Sequence, residues 1–196
     1  MNFLAHAVLS FDEPEILFGQ MISDFVKGSR RFSYPPMIGH GIMLHRHIDS
    51  FTDAHDTTRR ARDLFRPVYR LYSGAFVDIS FDHFVATDNR EFGPRSLFTF
   101  SQQVYSHLDR LTDMMPAGFA GMYPYMKKDN WLLGYAEPEG IYRSFRGLVQ
   151  RSAYMTDSKP AAELFEKHFV ELRACYEAFW PELKAFAREE SDRYRF

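Results

Sequence analysis

The chain has a single cysteine, Cys175, so it can form no internal disulfide, and no paired-cysteine zinc motif can be written on it. A buried core thiol in a reducing, cytoplasmic protein is the expectation. No run approaches the roughly 18 apolar residues of a membrane-spanning helix. The opening "MNFLAHAVLSFDEPEILFG" lacks both a basic n-region and an uninterrupted apolar core, so neither membrane attachment nor processing is expected. Strand signals are sparse, because nowhere do apolar and polar residues alternate between paired turn dipeptides. Repeats, low-complexity tracts and long linkers are missing too. A net charge of −2 gives the whole molecule no field with which to attract nucleic acid.

What is abundant is aromatic. Rings make up 17% of the sequence, with 20 phenylalanines, against an ordinary hydrophobic fraction of 45%. A chain of 196 residues can bury most of the surface it exposes when unfolded, so a single domain over 1–196 needs no staple to fold. A bound metal would therefore serve chemistry. Helical periodicity is plentiful. From Pro14, "PEILFGQMISDFVKG" sets Ile16, Leu17, Met21 and Phe25 at helical spacing and closes on Gly28, which predicts a helix with Asp24 in its last turn. After a Ser/Pro-rich loop, "SRRFSYPP", further helices are predicted over 36–51, 57–71 with a kink near Pro67, 74–87, 96–115, 118–127, 131–135 and 137–154. A last one, over 160–186, should break near Pro181. The predicted fold class is all-α, a single-domain helical bundle.

The polar residues hardest to explain by solvation lie in the first half: His6, Asp24, His45, Asp49, Asp53, Asp78, Asp82 and His83. In "HRHIDSFTD" the residues 45, 49 and 53 share one helical face. In "FVDISFDHFV" the apolar residues cover most faces, so Asp82 and His83 cannot both meet open water. A buried carboxylate costs several kcal/mol unless it is paired or metal-bound. Imidazoles with carboxylates suit a divalent cation of the Mg/Mn/Fe/Zn group, and helices of a bundle can each donate inward ligands. The bland readings have equal standing at this point. Asp49 could pair with Arg46, Asp53 could pair with an arginine of the next helix or cap it, and Asp82-His83 could be a satisfied core pair. His6 could be structural. His40, His47, His55, His107 and His168 are background.

Taken together, "NFLAHA", "DFVKG" at 24–28, "YPP" at 34–36, "GIMLHRHIDSFTD" at 41–53, "FVDISFDHF" at 76–84 and "WLLGY" at 131–135 resemble, in order and spacing, the bacterial acyl carrier protein phosphodiesterase family. That family is also called acyl carrier protein hydrolase and is similar to the HD-domain phosphohydrolases. The resemblance implies an HD-domain-like helical fold and a hydrolase that cleaves the phosphodiester between 4′-phosphopantetheine and a serine of holo-acyl carrier protein. It also implies a divalent metal, typically Mn2+, with Mg2+ or Fe2+ as substitutes. The adjacent pair here is Asp82-His83, the reverse of the His-Asp order that names the HD-domain enzymes, so ligand roles do not transfer from that wider group.

On this resemblance His6, Asp24, Asp82 and His83 are expected to hold the metal. His45 or Asp49 would then help to deprotonate the attacking water, with Arg46 offsetting phosphoryl charge and Asp53 either supporting the stripe or capping the next helix. Lys27, Arg30, Arg31, Arg59, Arg60 and Arg62 are the expected contacts for an acidic carrier protein. Nucleic acid and membrane are not expected partners, and no oligomeric state is predicted. Two other classes fit the same residues: a metal-dependent phosphohydrolase of small phosphoesters or nucleotides, and a non-enzymatic helical module that binds an acidic protein.

Overall fold

A computed structural model describes residues 1–93 and 95–193. Among these residues the secondary structure is helical throughout, with no strand. The α-helices in order are α1 (Phe3–Val8), α2 (Pro14–Ile22), α3 (Pro36–Ala54), α4 (Asp56–Tyr69), α5 (Ser73–Thr87), α6 (Leu97–Asp109), α7 (Ala117–Lys128), α8 (Trp131–Gly134), α9 (Pro138–Arg151), α10 (Lys159–Lys167) and α11 (Phe169–Asp192). None is long and apolar enough to cross a membrane.

Helix α5 is the hub. Its run Ile79 to Ala86 is buried on every face, as expected of a helix apolar all round. Helices α1, α4, α9 and α11 pack around it. Phe76 of α5 meets Phe65 of α4 at 5.8 Å and Phe145 of α9 at 5.3 Å, ring centre to ring centre. Each buried ring of this kind contributes about 1.5–3 kcal/mol of apolar burial. The phenylalanine excess is thus core material.

Two glycines set the α2–α3 crossing. A Cβ on Gly19 would lie 2.2 Å from the Ile38 carbonyl oxygen, and one on Gly41 2.3 Å from that of Ile16, so only glycine admits this approach. The close crossing lays the end of α2 against the middle of α3, where Ser23 Oγ donates to the Ile42 carbonyl at 3.2 Å. The helix predicted to run to Gly28 stops at Ile22, where the following turn is tied to α3 by Ser23 and by Arg46 on the Val26 carbonyl. Asp24 sits instead in a 3-10 turn, Ser23–Phe25, that bends toward α3.

Other boundaries moved for local reasons. Helix α3 runs on to Ala54, and His55, not Asp53, caps α4 by accepting from the Thr57 amide. The expected break at Pro181 does not occur. Pro181 faces solvent, where water can serve the carbonyl its ring frees, while Phe179, Trp180, Leu183 and Ala187 hold the inner face down. The break falls at His168. The short helix α1 carried no periodic signal. Its amide donors are met by side chains: Asn2 accepts from Phe3 at 2.9 Å, and Asp82 of α5 accepts from Leu4 at 2.8 Å and Ala5 at 3.2 Å.

A candidate metal centre

Helix α1 presents His6 to α3, which presents His45 and, one turn on, Asp49. The two imidazoles stack with centroids 3.8 Å apart and planes 12° from parallel. Asp49 lies across them, with Oδ1 3.3 Å from His6 Nε2 and Oδ2 3.1 Å from His45 Nε2. Asp24 reaches in from its 3-10 turn to 3.2 Å from the same His45 nitrogen. His6, His45 and Asp49 each offer a ligand atom within 4.8 Å of the others.

The orientation of His6 is fixed from behind. Gln20 Nε2 donates to Ser10 Oγ at 3.0 Å, and Ser10 Oγ donates to the His6 carbonyl at 2.8 Å. Gln20 Oε1 is therefore left as acceptor for His6 Nδ1–H at 2.9 Å. This assignment follows from the network and makes His6 the Nδ1–H tautomer. Its Nε2 is then a buried lone pair with no donor to it among the described residues, 3.3 Å from Asp49 Oδ1. A ligating histidine held by an outer partner has this form. Gln20 and Ser10 were not among the predicted residues, and nothing in their local spacing marks them.

Charge follows geometry. Burial pulls the His6 pKa down to about 4, and the neighbouring His45 adds to the shift, so His6 is neutral. Burial also opposes charge on His45, but hydrogen bonds and charge from Asp24 and Asp49 outweigh it and lift its pKa to about 9. Two stacked imidazoles cannot comfortably both be charged. Burial favours the protonated form of Asp49, yet the Met1 amine and the proton on His45 hold its carboxyl far below the usual range. The proton on His45 thus occupies the place where three negative or lone-pair groups converge.

The remaining expected residues are placed as follows. Asp78 lies at the edge of the cluster, 3.3 Å from the Met1 amine, which also donates to Asp49 Oδ1 at 3.1 Å. Asp82 is fully buried with both oxygens on the α1 amides, and burial lifts its pKa to about 7. His83 faces elsewhere: Nδ1 meets the Tyr135 carbonyl at 2.8 Å, and its ring packs edge-on against Phe165 and Phe169. The structure does not bring His83 to the cluster. Arg46 donates to the Val26 carbonyl at 2.7 Å, tying the Asp24 turn to α3. Asp53 pairs with Arg62 of α4.

The basic residues divide into two sets. On α4, Arg59 pairs with Asp56 at 3.1 Å, Arg62 with Asp53, and Arg60 donates to Thr57 Oγ1 at 3.2 Å. After Asp24, Lys27 and Arg30 are exposed and form no ion pair among the described residues, while Arg31 lies over the exposed ring of Phe32 at 4.5 Å. The free positive charge therefore borders the cluster on the Asp24 side.

Comparison with known proteins agrees with the motif order. Residues 1–183 match the family model described as acyl carrier protein phosphodiesterase. A Yersinia pestis protein named acyl carrier protein phosphodiesterase is 31% identical over 191 residues, 97% of this chain and 99% of its own length. A Photorhabdus laumondii protein of the same name is 29% identical over 92% of each chain, and one from Salmonella agona 27% identical over 97% of this chain and 100% of its own. No solved structure matches the chain.

Proposed function

The chain belongs to the acyl carrier protein phosphodiesterase family, and from that premise we propose that it hydrolyses the bond between 4′-phosphopantetheine and serine in holo-acyl carrier protein. The products are apo-protein and free 4′-phosphopantetheine. We assign the divalent cation, manganese in the first place with magnesium or iron(II) as substitutes, to His6, His45 and Asp49, with Asp24 as a further carboxylate. The observation that carries this is the buried Nε2 lone pair of His6, aimed by Gln20 at the Asp49 carboxylate 3.3 Å away and at a second imidazole.

A cation held there supplies Lewis acidity to a phosphoryl oxygen and acidity to water. The chain's own groups do the rest. With His6, His45 and Asp49 holding the cation, Asp24, 3.2 Å from the same His45 nitrogen, is the carboxylate placed to take a proton from the attacking water and pass it toward the departing serine oxygen. Water forms the new bond to phosphorus, the phosphorus–serine oxygen bond breaks, and the phosphate leaves with the pantetheine. Asp82 and Gln20 position: one fixes the start of α1, the other the ring of His6.

Loading the site with metal must displace the His45 proton, because Asp49 and Asp24 are already held in their ionised forms and His6 is neutral. Below the His45 pKa of about 9, apparent manganese affinity should rise about tenfold per pH unit, with one proton released per ion. Calorimetry in buffers of different ionisation enthalpy measures both, and a pH-independent affinity between pH 6 and 8 speaks against His45 as a ligand.

The acidic carrier protein is assigned to the lip formed by Lys27, Arg30 and Arg31, whose charge is not cancelled in place as that of Arg59 and Arg62 is. Lys27→Glu with Arg30→Glu should slow association about tenfold or more at low salt and flatten its salt dependence. An unchanged salt slope removes the assignment.

A further inference from the structure

A cavity of about 350 Å³ lies between the amino-terminal residues, α8 and α9, within the size range of small-molecule sites. Its walls carry Phe3, Ile79, Trp131 and Tyr135 on one side, and its rim carries Arg143, Arg146 and Arg151. These arginines and Gly147 come from one face of α9, residues three, four or eight apart. Asn2 and Ile79 of its lining are the chain neighbours of Met1 and Asp78, the two groups at the edge of the metal cluster. One residue step is about 3.8 Å, so two lining residues lie one step along the chain from groups at the edge of the cluster.

Its charge is offset in part. Glu139 accepts from Arg146 at 2.7 Å, and Asp129 is itself part of the lining. What remains is an apolar interior under guanidinium and hydroxyl donors, which suits a chain of methylene and methyl groups carrying carbonyl acceptors.

We propose that this cavity seats the amide arm of the substrate, the pantetheine portion that leads away from the scissile phosphodiester. The proposal rests on the phosphodiesterase reading above for the identity of that arm. Phe3, Ile79 and Trp131 contact its methylene and methyl groups, and the α9 arginines donate to its amide carbonyls. Gly147 keeps the floor open: a Cβ there would meet only the flexible end of Arg151, at 3.3 Å.

Titration of the full chain with free pantetheine, which carries neither phosphate nor protein, tests this without turnover. Trp131 lines the cavity, whereas Trp180 is buried in α11 against Tyr176. Saturable quenching of fluorescence is expected, lost in Trp131→Phe and kept in Asp49→Asn. Filling the cavity with Gly147→Phe should weaken pantetheine at least about tenfold. Gln150→Trp, at the exposed rim, is the second filler if the first does not fold. Inorganic phosphate should not compete. No saturable response in the wild type, equal binding by both fillers, or competition by phosphate overturns the proposal. If pantetheine binds as described but the wild type releases none from holo-acyl carrier protein, the cavity stands and the assigned substrate fails.

Discussion

Replacing Asp49 by asparagine should lower manganese-dependent release of 4′-phosphopantetheine by about a thousandfold or more while the protein stays folded. Asp49 is the group on which the cluster converges: one oxygen faces His6 and the Met1 amine, the other faces His45. The amide keeps the shape and removes the charge, leaving the buried imidazoles without the carboxylate that sets their protonation. His45 then loses one of the two partners that hold its pKa near 9 and titrates lower. Because the side chain of Asp49 is 39% exposed, the loss should fall on turnover more than on stability. Steady-state kinetics together with a melting curve separate the two. A folded Asp49→Asn variant retaining a tenth of wild-type activity contradicts the account.

The second large effect is opposite in kind. Asp82→Ala should destabilise the protein by about 2–4 kcal/mol, because it strips a helix start of its acceptor and leaves the Leu4 and Ala5 amides buried and unpaired. For a domain of this size that is a fall in Tm of roughly 5–15 °C. Asp82→Asn keeps one acceptor oxygen and should lose less. Burial raises the Asp82 pKa to about 7, so the ionised form is the one the fold disfavours. The stability this group contributes is present below the ordinary carboxylate pKa and declines as pH rises toward 7. A variant with unchanged Tm and abolished manganese binding would make Asp82 a ligand.

The contrast between these two aspartates shows what could be read from sequence. Helix after helix was legible because apolar residues recur at 3.6-residue spacing, and Pro36 and Ser96 fell at the expected starts of α3 and α6. The misplacements have physical causes beyond local pattern: Pro181 is harmless because it faces water, and past Ile22 the chain turns and is tied to α3 by Ser23 and Arg46. The set of unusual polar residues was also legible, since carboxylates and imidazoles amid apolar neighbours must have partners. Their division was not. Adjacent residues of a helix point about 100° apart, so Asp82 and His83 could not both face one centre, and the fold used one for the start of α1 and the other for the Tyr135 carbonyl. His6 meets Asp49 across 43 positions of chain, a distance no spacing rule bridges. The Gln20–Ser10 network, on which the readiness of His6 depends, is made of residues ordinary in any helix.

The central claim is that His6, His45 and Asp49 hold the cation that the hydrolysis requires. Equilibrium binding of manganese, followed by the loss of its free paramagnetic signal, tests it most directly in the wild type, Asp49→Asn and His83→Ala. The account predicts a single tight ion in the wild type and in His83→Ala, and at least about a hundredfold weaker binding in Asp49→Asn. Binding that survives in Asp49→Asn and disappears in His83→Ala would contradict it.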